Sequence, residues 1–127
     1  MILCDTNIFI EIYRRNNAVR TILIDKVGLE NIVISDVTLA ELFYGALNKR
    51  ELQMIRKDMN DFPVLPIDPF ISKMAVEFVE KYCLSHKIDL EDALIGATAI
   101  SHSIELYTLN IKDFLFIPEL KLYQPNK

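Results

Sequence analysis

A three-layer α/β/α sandwich built on a parallel sheet is the fold this sequence predicts. Short apolar runs, with Ile32-Val33-Ile34 β-branched throughout, alternate with stretches of helical periodicity. Strands arranged in that way are buried on both faces and joined by helices. The 127 residues are 51% hydrophobic and 25% charged, with only 3 Gly and 5 Pro, so one compact domain over 1–127 is expected, without linker or repeat.

Met1 to Cys4 is an apolar run that ends at Asp5-Thr6-Asn7, residues favoured at helix N-caps. A short helix is expected over 7–14. Asn16 and Asn17 break it, and a second helix runs from Ala18 to Val27, stopped by Gly28. Ile32 to Ile34 forms a buried strand, and Ser35-Asp36 caps a helix reaching about Leu47. Residues 50–60 read as helix, and Phe62 to Ile67, with two prolines, reads as a strand near a sheet edge. Asp68-Pro69 opens a long helix to about Ser85, with Ile71, Met74, Ala75, Phe78, Val79 and Tyr82 on one face. Asp89 starts a further helix to about Ser101, apolar all round at Ala93-Leu94-Ile95-Gly96-Ala97 and therefore buried. Glu105 to Leu109 is a strand, Ile111 to Leu115 a helical turn, and Lys121 to Tyr123 a last short strand.

Several function classes fall away on composition. No window approaches the ~20 apolar residues of a membrane span. Met1-Ile2-Leu3-Cys4-Asp5 lacks the basic flank of a signal peptide, so a cytoplasmic location is expected. Cys4 and Cys83 fit no metal or redox spacing, and His86 and His102 read as surface residues. No Gly-rich phosphate loop or serine elbow is present. The net charge of −4 has the wrong sign for an ordinary nucleic-acid binder, unless the negative charge is concentrated at a metal site. Basic residues do gather at Arg14, Arg15, Arg20 and Lys26, and again at Lys49, Arg50, Arg56 and Lys57, although each pair alone reads as a solvated helix face.

Asp5, Glu41, Asp92 and Asp113 carry the chemistry, with Asn110 beside the last. Each has a plain structural account: Asp5 as a cap, Thr38-x-x-Glu41 and Asp89-x-x-Asp92 as capping boxes worth about 1 kcal/mol, and Asp113 as an exposed turn residue. Right-handed crossovers nevertheless put the starts of these helices on one edge of the sheet. Asp5 ends the first strand, Glu41 lies in the second turn of the helix leaving the second, Asp92 opens the helix that feeds the fourth, and Asn110 and Asp113 follow that strand. If strand order reverses between the first and fourth strands, these acids line the crevice where open α/β sheets bind ligands. Carboxylates 4 Å apart repel by roughly 4 kcal/mol at an effective dielectric near 20. Protons or a cation must neutralise such a cluster, and an all-oxygen donor set selects a hard ion, Mg²⁺ or Mn²⁺.

Four segments resemble the motifs of PIN domains, VapC-type toxins in particular: Leu3-Cys4-Asp5-Thr6-Asn7-Ile8-Phe9-Ile10, Ser35 to Gly45 with its Thr38 and Glu41, Asp92 to Ala99, and Thr108-Leu109-Asn110-Ile111-Lys112-Asp113-Phe114. The resemblance spans nearly the whole chain in order. It implies a five-stranded parallel sheet in the order 3-2-1-4-5 and Mg²⁺- or Mn²⁺-dependent cleavage of RNA. It carries metal binding onto Asp5 and Asp92, and catalysis onto Asp5, Glu41 and Asp92, with Thr6 in support. It also implies a homodimer inhibited by a small VapB-type antitoxin. Asn110 stands where many members place a fourth acid, and Asp113, three residues on, is the candidate substitute.

The expected mechanism has Asp5 and Asp92 on the cation and Glu41 either as a third ligand or orienting the attacking water. Asn110 hydrogen-bonds substrate or water, and Asp113 completes the outer shell. Asp5→Ala or Asp92→Asn is expected to abolish cleavage while leaving the fold intact. Two other classes compete. A degenerate PIN-like module would bind RNA or protein without cutting, and a phosphoacceptor or phosphatase would use Asp5 as nucleophile. The latter wants a second acid where Asn7 stands.

Overall fold

The computed structural model describes residues 1–126. Its four strands are β1 (Ile2–Cys4), β2 (Ile32–Ser35), β3 (Val64–Leu65) and β4 (Glu105–Tyr107). They form one parallel sheet in the order β3-β2-β1-β4. The helices are α1 (Thr6–Tyr13), α2 (Asn17–Thr21), α3 (Asp36–Tyr44), α4 (Lys49–Met59), α5 (Pro69–His86) and α6 (Leu90–Ser101).

Alternation along the strands divides the core in two. Ile2, Cys4, Ile32, Ile34 and Tyr107 face one side, against Ile8 and Phe9 of α1 and Ile55 and Met59 of α4. Leu3, Val33 and Leu106 face the other, against Ile71 and Ala75 of α5 and Ala93, Ile95, Ala97 and Ala99 of α6. Leu3, Val33 and Leu106 are all fully buried, as strands covered by helices on both faces must be. The three-layer sandwich expected from the alternating pattern is therefore present.

The helix boundaries follow local chemistry. Asp5, Asn16, Ser35, Asn48, Asp68 and Asp89 each turn a side-chain oxygen onto backbone N–H groups of the helix they precede. Pro69 occupies the first turn of α5, where its missing N–H removes no helical bond. The helix expected up to Val27 is present but changes pitch. It is α-helical to Thr21, then π-helical over Ile22–Val27, and it closes with Gly28 N donating to Leu23 O at 2.9 Å. Gly28 has φ +83°, a conformation that suits glycine, and a Cβ there would lie 2.7 Å from a Glu30 carboxylate oxygen.

Two strands are shorter than expected. Pro63 and Pro66 lack N–H donors, so the run over 62–67 pairs only at Val64 and Leu65, with Pro63 O accepting from Ile34 N. The fifth strand expected over 121–123 is reduced to one parallel bridge between Leu106 and Leu122, in which Lys121 O and Tyr123 N both pair with Leu106. Pro118 and Pro125 flank this segment and shorten what can pair. It lies beside β4, on the side where the fifth strand was expected. Among the described residues no helix is long and apolar enough to cross a membrane.

The topology matters most for function. From β1 the chain steps to β2 and then β3 on one side, and α5 and α6 carry it back to β4 on the other side of β1. Strand order therefore reverses between β1 and β4, and the crevice outside their carboxyl ends is the natural ligand position.

Candidate active site

Asp5 follows β1 and is almost wholly buried, at 5% exposure. Its Oδ1 accepts from Thr6 N at 2.8 Å and so caps α1. Its Oδ2 accepts from Thr108 Oγ1 at 2.8 Å and from Asn7 Nδ2 at 3.3 Å. The bland role of cap and the role of site carboxylate are thus held by the same side chain. Across the crevice, Asp5 N donates to Tyr107 O at 2.9 Å, which extends the β1–β4 pairing to the site's threshold.

Thr6 reaches the other way. Its Oγ1 donates to Glu41 Oε1 at 2.7 Å and lies 3.2 Å from Thr38 Oγ1. Glu41 is in the second turn of α3, whose cap is Ser35, with Ser35 Oγ accepting from Thr38 N at 3.2 Å. Thr38-x-x-Glu41 is therefore no capping box. Thr38 is already inside the helix and buried, which frees the Glu41 carboxylate to face α1. Asp89 caps α6 by accepting from Asp92 N at 2.8 Å, and the Asp92 carboxylate makes no reciprocal bond among those the structure describes.

Electrostatics show that the acids share one environment. Burial pushes the Asp5 carboxyl up. The hydrogen bonds from Thr108 and Thr6 N oppose that rise, and the charge of Asp113 adds to it. Glu41 rises to about 7, mainly through burial; the Thr6 hydroxyl holds it down, while contact with Glu91 and the charges of Glu91 and Asp5 raise it. Asp92 also rises to about 7, first through burial and then through repulsion from Asp89, Asp5, Asp113 and Glu41. Asp5, Glu41 and Asp92, drawn from three separate segments, are thus linked by charge repulsion across the crevice, and the charge of Asp113 acts on Asp5 and Asp92. Asp113 is half-buried in the single turn of 3₁₀ helix at Ile111–Asp113. Asn110 is exposed, and its backbone N donates to Thr108 Oγ1 at 3.1 Å.

Thr6, Glu41, Asp92, Asp113 and Asn110 accordingly gather around Asp5, as the strand order demands. Sequence reasoning missed Asn7, Thr108 and Glu91. Thr108 stands immediately after β4 on the same edge as Asp5, and that position was the available signal. His86 and His102 are exposed and distant in role, His86 stacking on Phe116 with ring centroids 4.0 Å apart.

Raised carboxyl pKa values destabilise the folded state once the groups ionise. For Glu41 and Asp92 the folded values lie above the unfolded ones, so their contribution is neutral below about pH 4 and turns unfavourable as pH rises towards about 7. Both groups are only half-buried, so solvent screening leaves an effect on the order of 1 kcal/mol each. Melting temperature measured without divalent ions should fall across that window in the wild type, and fall less in Asp92→Asn.

Whether these residues suit a divalent cation turns on their donor chemistry. Among the described residues no group of three or more His, Cys, Asp or Glu side chains is already drawn to ligand spacing. The donors available are nonetheless all carboxylate oxygens, mutually repelling, at the end of a crevice. A hard cation is the charge that relieves such a set.

A fold with this strand order and an acidic crevice between β1 and β4 defines a recognised class. The family model of the PIN domain matches residues 2–115, and the chain belongs to that family. Among its relatives, "Ribonuclease VapC10" of Mycobacterium tuberculosis is 33% identical over 122 residues, covering 95% of this chain and 91% of the relative. A toxin–antitoxin complex from Klebsiella pneumoniae holds a chain 30% identical at TM-score 0.78, with 98% of each chain covered. The VapBC2 complex of Rickettsia felis, solved with a DNA fragment from its promoter, is 27% identical at TM-score 0.78, covering 97% of this chain and 98% of that one. The family read from the four motifs is borne out.

Proposed function

We propose that this chain is a divalent-metal-dependent endoribonuclease, the toxin of a toxin–antitoxin pair, with Asp5, Glu41 and Asp92 holding Mg²⁺ or Mn²⁺. The reading rests above all on one observation: three carboxylates from distant segments, Asp5, Glu41 and Asp92, are raised by burial and by acidic neighbours around the crevice. The ribonuclease named among the relatives supports the reaction class, and the toxin–antitoxin complexes support the setting. The bound cation supplies charge stabilisation and water activation for phosphodiester hydrolysis.

The chain's own residues divide the remaining work. Thr6 orients Glu41 by donating to Oε1. Asp92, at the start of α6, keeps a carboxylate free of hydrogen bonds to its own helix. In this reading Asn110, which is exposed, bonds substrate or water, and the half-buried Asp113 completes the outer shell. Burial of Asp5 keeps water from competing at the innermost position.

Partners follow from the same reading. RNA is the substrate, a small VapB-type antitoxin the inhibitor, and a homodimer the working assembly, inside the cytoplasm. A groove of about 630 Å³ opens beside Glu41, with an apolar lining of Ile10, Leu42, Leu47, Met54 and Ile55 and with Arg14 and Glu51 among its polar residues. Leu47 and Met54 stay exposed there, and an antitoxin seated on them would lie against Glu41.

The test is direct. Purified chain should cleave RNA in Mg²⁺ or Mn²⁺, stop in EDTA, and lose on the order of 10²-fold or more in Glu41→Gln, whose side chain keeps its volume but not its charge. Equal cleavage in EDTA, or by Glu41→Gln, would overturn the assignment. Folded protein that binds RNA without cutting it would favour the degenerate binding module instead.

A further inference from the structure

We propose that Thr108 and Asn7 act as a clamp that orients Asp5 for its cation and ties the loop carrying Asn110 and Asp113 to it. The inference rests on the metal-dependent reading above, and it assigns positioning roles that the site carboxylates alone do not provide.

The hydrogen-bond directions leave little choice. Asn7 Oδ1 accepts from Leu109 N at 3.1 Å, and a backbone N–H can only donate, so Asn7 Nδ2 must point the other way. That amide donates to Asp5 Oδ2 at 3.3 Å and to Thr108 Oγ1 at 3.2 Å. Thr108 Oγ1 receives a second N–H from Asn110 N at 3.1 Å. With two donors aimed at its oxygen, the Thr108 hydroxyl proton has one outlet, Asp5 Oδ2 at 2.8 Å. The polarity of the whole network therefore ends on the Asp5 carboxylate as acceptor.

Two consequences follow. Asp5 has one oxygen tied to α1 through Thr6 N and the other tied to β4 through Thr108, so its carboxylate plane is fixed from both sides of the crevice. Leu109 N is pinned to Asn7, 102 positions earlier, and Asn110 N to the Thr108 hydroxyl that itself bonds Asn7 and Asp5, which sets where Asn110 and Asp113 stand relative to Asp5. Thr108 is 3% exposed, so water does not replace its bonds if they are lost. Outer hydrogen bonds of this kind typically govern metal affinity by 10–100-fold.

The experiment compares Mn²⁺ affinity by calorimetry, together with kcat and KM for RNA, in wild type, Thr108→Val, Thr108→Ser, Asn7→Ala and Thr98→Val. Thr98 is a fully buried threonine whose hydroxyl bonds Leu94 O alone among the described residues, far from the clamp in role, and it reports the cost of removing a buried hydroxyl as such. Thr108→Val should weaken Mn²⁺ binding by about 10–100-fold and lower kcat with little change in KM. Thr108→Ser should restore both, Asn7→Ala should shift affinity in the same direction, and Thr98→Val should leave affinity alone. Wild-type Mn²⁺ affinity in folded Thr108→Val overturns the clamp. Should Thr108→Val not fold, wild-type affinity in Asn7→Ala overturns it equally. A wild type that neither binds Mn²⁺ nor cleaves would bring down the metal-dependent reading itself, a result distinct from these.

Discussion

Asp92→Asn should abolish RNA cleavage and at the same time raise the melting temperature of the metal-free protein. The substitution conserves volume and deletes the charge that Asp89, Asp5, Asp113 and Glu41 all oppose. Several kcal/mol of charge stabilisation by the cation would be lost with its ligand, and at 1.36 kcal/mol per decade that is on the order of 10³-fold in rate. Above pH 7 the relief of repulsion should return about 1 kcal/mol after screening, or roughly 4 °C. The Asp89 cap on Asp92 N is a backbone contact and survives the change. Differential scanning calorimetry in EDTA beside an RNA cleavage assay reads both effects. A melting temperature that falls would mean that Asp92 is held by attraction rather than tolerated under strain.

Asp5→Ala should be equally inactive yet move stability the opposite way. Sequence reasoning expects both substitutions to leave the fold intact, although it offers Asp5 a role as helix cap. In the structure Asp5 also caps α1 and accepts the only proton Thr108 can offer. Losing an N-cap costs about 1 kcal/mol, and stranding a buried hydroxyl donor a further ~1–3 kcal/mol. Relief of burial and repulsion offsets part of this, so a net loss of about 1–3 kcal/mol is expected in urea unfolding. Asp5→Asn does not repair the network, since donors approach both oxygens of Asp5 and an amide must set its NH2 against either Thr6 N or the pair Thr108 and Asn7. Two members of one proposed metal site should thus differ in sign when unfolding is measured, because one is woven into backbone and hydroxyl partners and the other is not.

That contrast marks what the chain alone reveals. Strand ends and helix starts are readable from apolar runs and cap residues, and right-handed crossovers put Asp5, Glu41, Asp92 and Asp113 on one edge. The hydrogen bonds that orient them were not readable. Asp5 and Thr108 are 103 positions apart, and no periodicity or spacing announces a hydroxyl that bridges two strand ends. Glu91 acts on Glu41 by contact and charge, and nothing in its spacing sets it apart from other helix-start acids. The capping-box reading of Thr38 and Glu41 failed because Ser35 had already started the helix three residues earlier. Pairing at the edges is shorter than the apolar pattern suggests for a different reason: Pro63 and Pro66 lack N–H donors within 62–67, and Pro125 lacks the one that would continue the pairing of 121–123.

The central claim is that these carboxylates are drawn together for a divalent ion, and thermal stability against pH with and without Mn²⁺ tests it most directly. In EDTA the melting temperature should decline as Glu41 and Asp92 ionise towards pH 7. Mn²⁺ at about a hundredfold excess over its dissociation constant should add about 2.7 kcal/mol at pH 7.5 and little at pH 5, where protons hold the ligands. A melting temperature indifferent to Mn²⁺ at pH 7.5, or raised equally at both pH values, would contradict it.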